Sequence, residues 1–152
     1  MSDTENIKQF FIENDRFAKH NGIRLIEASM GRAVVEMDVQ DFHLNAANVV
    51  HGAAMFTLAD FAFAVACNMQ GKLSLAVNIT MNFVKAATGG TLRAVCEEIS
   101  DGKMAAYRAT VTDDSNTVVA TFEGLAFRKN QTLACLLYNG EYRFANSRKR
   151  SA

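Results

Sequence analysis

Proline is absent from all 152 residues, and cysteine occurs only three times. Chain reversals therefore fall to Gly- and Asp-containing turns rather than to proline. The cysteines, Cys67, Cys96 and Cys135, are odd in number and share no C-x-x-C spacing. That excludes a disulfide framework or a zinc site, so they read as reduced, mostly buried small hydrophobes. No charge of one sign dominates: 16 basic and 16 acidic residues cancel, and no global field argues for nucleic acid. No apolar run reaches the roughly 18–20 uncharged residues that a membrane span needs. The start, MSDTENIKQFF, lacks the basic and apolar regions of a secretory signal, so the cytoplasm is the expected compartment. His20, His43 and His51 form no i, i+4 metal pair, and neither a G-x-S-x-G elbow nor a Gly-rich phosphate loop occurs.

What is present centres on Ala53 to Gln70, AAMFTLADFAFAVACNMQ, which is apolar on nearly every face. That pattern predicts a helix wrapped by other structure rather than half exposed. Asp60 is its only charged residue. An ionised carboxylate in such surroundings costs several kcal/mol unless it is paired or hydrogen-bonded. It therefore calls for a partner, a raised pKa or a site that opens to solvent. A structural acid bonded to backbone amides is the competing reading. Cys67, on the same stretch, has no histidine nearby in sequence and reads as core packing.

Just upstream stands His51-Gly52. Glycine lets a ligand approach the backbone, and the first amides of a helix lack internal partners and carry the positive end of its dipole. Such amides can hold an oxygen that gains negative charge. Gly52 and Asp60 are eight residues apart, hence separated by roughly 12 Å along one helix axis. If both serve one carbonyl, the helix start of one subunit must approach Asp60 of another, which requires at least a dimer.

The run Asn45, then His51-Gly52-Ala53-Ala54-Met55-Phe56-Thr57-Leu58-Ala59-Asp60, then Ala62-Phe63-Ala64 and Ala66-Cys67-Asn68 before Gly71, resembles the hotdog-fold acyl-CoA thioesterases of the phenylacetic-acid-degradation, or PaaI-like, type. Met81-Asn82-Phe83-Val84-Lys85, Gly89-Gly90-Thr91-Leu92, Asp101-Gly102-Lys103 and Val118-Val119-Ala120-Thr121-Phe122 extend the likeness, which covers roughly Asn14 to Arg128. The resemblance implies that Asp60 acts on the thioester carbonyl as general base toward water, or as nucleophile. It further implies that Gly52 and its neighbour Ala53 offer the oxyanion amide, that Asn45 positions water or carbonyl, and that His51 shapes the site. Two departures stand out. Ala53 replaces a usual second glycine, and its methyl group narrows the channel without removing the amide. Lys85-Ala86 replaces an Arg-Pro step; Lys85 is a candidate contact for a coenzyme A phosphate, with a solvated surface lysine as the alternative. No cofactor is implied, since coenzyme A is part of the substrate. The expected partners are an acyl-CoA and further copies of the chain, at least a dimer and preferably a tetramer, with no nucleic acid and no membrane.

Along the chain, Ile7, Phe10, Phe11, Phe17 and Ala18 predict an amphipathic helix from Asn6 to Lys19. Ile23 to Ser29 and Ala33 to Val39 predict a hairpin, and a loop from Gln40 to Val50 carries Asn45 into the central helix. Four further strands follow, Leu73 to Lys85, Thr91 to Ser100, Lys103 to Thr112 and Val118 to Arg128. This order predicts an α+β domain, an antiparallel sheet curled around one apolar helix, and the hotdog fold is what the resemblance adds. One domain over residues 1–129 is expected, with a C-terminal extension over 130–152 whose basic end reads as solvated or disordered. Two other functions remain open: a non-catalytic acyl-CoA binding or sensing protein, and a hydratase or dehydratase, which would want a histidine paired with the acid. Phe56, Phe61, Phe63 and Phe83 either line an acyl pocket or pack the core.

Overall fold

The computed structural model describes residues 3–138. The chain begins with two short helices, α1 (Asp3–Asn14) and α2 (Arg16–His20), where the apolar spacing predicts one. Asp15 causes the break. Its side chain accepts a hydrogen bond from the Ala18 amide at 2.9 Å, capping a new helix instead of continuing the first. Ile7 and Ala18 still bury the apolar side.

β1 (Ile23–Ser29) and β2 (Arg32–Asp38) then form the predicted hairpin. Gly31 turns it with φ +69°, a conformation that disfavours any side chain. After a loop comes α3 (Gly52–Asn68), followed by β3 (Lys72–Phe83), β4 (Thr91–Ser100), β5 (Met104–Thr112), β6 (Val118–Thr132) and α4 (Leu133–Tyr138). β6 runs past Arg128 and pairs Thr132 with Lys72, so the sheet reaches beyond residue 129. The rest of the expected extension, residues 139–152, lies outside the described residues.

All strand pairs are antiparallel, in the order β1-β2-β4-β5-β6-β3. α3 carries the chain from the β2 side across the sheet, so β3 enters at the far edge and pairs with β6. The inner face is built from Ala33, Val35, Met37, Leu92, Ala94, Ala105, Ala109, Val111 and Phe122, each fully buried. Alanine at so many of these positions lets the backbone of α3 approach closely. In return α3 buries Leu58, Ala59, Phe61, Ala62, Phe63, Val65 and Ala66 against it. This is the wrapped helix that its all-round apolarity predicts. None of the helices among the described residues is long and apolar enough to cross a membrane.

Beyond the C-terminal end of α3, Arg128 locks β6 to its neighbours. Its Nη2 donates to Glu98 Oε2 at 2.6 Å and its Nη1 to Asp101. The same Glu98 oxygen accepts from the Tyr107 hydroxyl at 2.5 Å and from Gln70 Nε2 at 3.0 Å. With 8% of the arginine side chain exposed, removing it strands a carboxylate that has three donors and little water. Arg128→Met is expected to cost about 3 kcal/mol, read as a lower urea midpoint with an unchanged slope. An unmoved midpoint would show that Tyr107 and Gln70 suffice.

Candidate active site

The loop leading to α3 is held by its own polar groups. A 3₁₀ turn spans Asp41–His43, and Leu44 bridges Val50. Between them Asn45 Oδ1 accepts from the amides of Ala47 at 2.8 Å and Val49 at 3.4 Å, while Asn48 takes φ +58°. The carbonyl oxygen of Asn45 thus shapes the loop, and its amide NH2 is the end left for a ligand.

His51 is the N-cap of α3. Its backbone N–H donates to the His43 carbonyl at 2.7 Å, and its Nδ1 accepts from the Ala53 amide at 3.0 Å. The sequence offers Gly52 and Ala53 together as oxyanion donors, whereas the structure separates them. The imidazole already occupies the Ala53 N–H and Ala54 N–H donates to the His51 carbonyl at 2.9 Å, which leaves the Gly52 N–H as the donor without an acceptor among the described residues. Phe83, at the end of β3, lies over this point. A Cβ on Gly52 would meet the ring at 3.0 Å, so close approach by a neighbour demands the glycine.

Two turns further along, Asp60 belongs to the one stripe of α3 that the protomer leaves partly open, with Ala53, Thr57 and Ala64 at helical spacing on the same side. It is half-buried and makes no hydrogen bond among the described residues. Burial first, and the negative charge of Asp15 second, raise its pKa above the ordinary carboxylate value of 3.8. Of the readings open from sequence, the raised pKa and the site open to solvent both fit; a partner or an amide-bonded structural acid does not appear among the described residues.

A cleft of about 220 Å³ lies between α2, the 3₁₀ turn and the first turns of α3. Phe17 and Phe42 form its rim, and His43, His51, Ala53 and Thr57 its floor. Thr57 is one turn from Asp60, so the cleft adjoins the acid. The Lys85 side chain is exposed two residues beyond Phe83 and has no ion-pair partner among the described residues. Cys67 is no nucleophile here, because burial pushes its thiol up to about 12.

The structure therefore clusters His51, Gly52 and Ala53, ties Asn45 to them through the loop, and leaves Asp60 on the same helix but two turns away. Sequence reasoning weighed His43 only as a metal ligand or a partner of the acid, and passed over Asp15. Neither carries a periodic signal, and the one available for Asp15 was its cap-type spacing, aspartate three residues before Ala18.

Comparison with known proteins identifies the family and its fold. The family model for the thioesterase superfamily matches residues 47–120, the segment from the site loop to the first residues of β6. A relative from Archaeoglobus fulgidus is 40% identical over 129 residues, 84% of each chain. The acyl-coenzyme A thioesterase PaaI of Escherichia coli K12 is 37% identical over 123 residues, 80% of this chain and 88% of the relative. The structure of the E. coli PaaI protein, from the phenylacetic acid degradation operon, superimposes with TM-score 0.80 at 34% identity, covering 85% of this chain and 97% of that one. With its six-stranded antiparallel sheet around one helix, the chain belongs to the thioesterase superfamily, as a PaaI-like member with the hotdog fold.

Proposed function

We propose that this protein hydrolyses acyl-CoA thioesters to a free acid and coenzyme A. The observation that carries the reading is Asp60: an unpaired, half-buried carboxylate on the open stripe of an otherwise apolar helix. No hydrogen-bonding partner among the described residues holds a charge there, whereas a base acting on water beside a cleft requires one. The likeness to an acyl-CoA thioesterase supports the substrate class.

In the mechanism, Asp60 removes a proton from water as the water oxygen attacks the thioester carbonyl. The Gly52 N–H, at the positive end of α3, stabilises the oxyanion. Collapse of the tetrahedral intermediate breaks the C–S bond, and the proton held by Asp60 passes to the departing thiolate. Asn45 orients the carbonyl or the water through its amide NH2, His51 holds the helix start in shape, and Lys85 meets a phosphate of coenzyme A at the rim. No separate cofactor takes part.

Eight residues of helix keep Gly52 and Asp60 of one chain roughly 12 Å apart, so the active unit is an oligomer in which one copy supplies each group. The β3 edge supports this. It is 12 residues long, has no strand partner on its outer side among the described residues, and exposes Leu75, Val77 and Phe83 at 47%, 54% and 55%. A long apolar edge of this kind invites pairing with another chain. The working form is a cytoplasmic homo-oligomer, at least a dimer and in our reading a tetramer.

The test is release of free thiol from arylacetyl-CoA, benzoyl-CoA and straight-chain acyl-CoA thioesters. Turnover of any class, saturable in the thioester, is the expected result. Binding of the same esters with no turnover across the panel overturns hydrolysis in favour of a binding or sensing protein.

A further inference from the structure

His43 is among the most buried polar residues of the fold, 2% exposed, yet it directly follows the exposed residues Gln40, Asp41 and Phe42. Its ring contacts are one-sided in a way that fixes its chemistry. Nδ1 accepts the Gln40 backbone N–H at 2.9 Å, so the ring proton of the neutral form sits on Nε2. Nε2 turns toward the backbone of Asn21, the residue that ends α2, without completing a hydrogen bond. The Phe42 ring packs beside it with centroids 4.1 Å apart. Its backbone carbonyl accepts the N–H of His51 at 2.7 Å. One residue therefore touches the end of α2, the start of the 3₁₀ turn and the cap that presents Gly52.

We propose that His43 is a positioning residue for the thioester site, holding the His51-Gly52 helix start in place through a neutral imidazole that must keep Nδ1 free of a proton. This rests on the hydrolytic reading above. The linkage is steric and electrostatic. A proton on Nδ1 would set two N–H donors facing each other at the Gln40 contact, and the turn must then open. The His43 carbonyl moves with the turn, and with it the amide of His51 and the Gly52 donor. A displacement of about 1 Å at a donor of this kind costs up to 10²-fold in rate. The titratable groups on the elements around the ring are Asp15 at the cap of α2, Arg16, Lys19 and His20 of α2, Asp41 of the turn, His51 at the cap of α3, and Asp60 and Cys67 of α3. No carboxylate among the described residues pairs with the imidazole to favour its charged form. Burial accordingly lowers its pKa below 6.5, against a smaller opposing effect of Asn21.

Asparagine places a carbonyl oxygen near the position of Nδ1 and cannot titrate, whereas methionine fills the volume with no acceptor. The expected results for the full-length protein with phenylacetyl-CoA are a kcat lower by about tenfold or more in His43→Met with KM little changed, and recovery of most of that loss in His43→Asn. The wild-type kcat should show an acid limb to which protonation of His43 and of Asp60 both contribute, and His43→Asn should remove the His43 contribution and leave that of Asp60. If both variants keep the wild-type rate and pH profile, the proposal is wrong. A readout independent of turnover runs in parallel: in ¹H–¹⁵N spectra the Gly52 amide should shift with pH together with the His43 ring, and should stop doing so in His43→Asn. A Gly52 amide that ignores His43 overturns the proposal even if no thioester is ever hydrolysed, while a coupled shift without hydrolysis would indict the thioesterase reading alone.

Discussion

Asp60→Asn is expected to reduce thiol release by about 10² to 10⁴-fold, and to make the protein more heat-stable at neutral pH. The two effects share one cause. The carboxylate sits half-buried, without a hydrogen-bonding partner among the described residues, and repelled by Asp15, so its pKa in the folded chain lies above that of the unfolded chain. A folded state that binds the proton more tightly is favoured at low pH and loses that advantage as pH rises through the folded pKa. At pH 7 the ionised group therefore opposes folding, and a neutral amide of the same shape relieves it. The gain should appear as a Tm increase of roughly 2–4 °C for each kcal/mol recovered, and should vanish near pH 3, where the wild-type acid is protonated. Calorimetry at both pH values with parallel kinetics checks it. A variant that is inactive and also less stable at pH 7 would mean that Asp60 has a structural partner; a variant that stays active would remove it from the mechanism.

The second large effect is expected from the edge of the sheet. If β3 pairs with its own copy in antiparallel fashion, the centre of its 12 residues falls at Val77 and Asn78. With the two-fold axis at Val77, Val77→Lys brings like charges face to face, a destabilising arrangement in any cross-strand pair. Because 54% of Val77 is exposed in the single protomer, the substitution need not disturb the core. Light scattering after gel filtration should show dissociation. Turnover per subunit should fall to background at dilute protein and recover as concentration restores the assembly. A dissociated variant with full turnover at every concentration would show that one chain suffices, and the split between Gly52 and Asp60 would fail.

Much of this molecule is legible along the chain because its signals are local. Strand alternation and glycine turns place β1, β2, β4 and β5 to within about a residue, and the unbroken apolarity from Ala53 onward announces a wrapped helix. The lone charge of Asp60 stands out against that background for the same reason. Missed signals are those in which a polar side chain competes with the pattern. Ile7, Phe10, Phe11, Phe17 and Ala18 keep helical spacing across Asp15, yet the Asp15 carboxylate bonds the Ala18 amide and ends one helix to start another. Likewise the amide of Ala53 is free by position but taken by a side chain, since the imidazole of His51 folds back upon it.

By itself, then, the sequence determined the strands, the α+β class, the wrapped helix and the identity of its one acid, all of which follow from hydrophobic periodicity and charge among neighbouring residues. Only the tertiary structure decided that β3 lies at the far edge beside β6, that Phe83 covers Gly52, that Gly52 rather than Ala53 keeps a free amide, and that His43 is buried beneath the helix start. Each of these depends on which distant surfaces meet when the sheet closes around α3. Such contacts are selected by the packing of the whole domain, and no stretch of chain carries them alone.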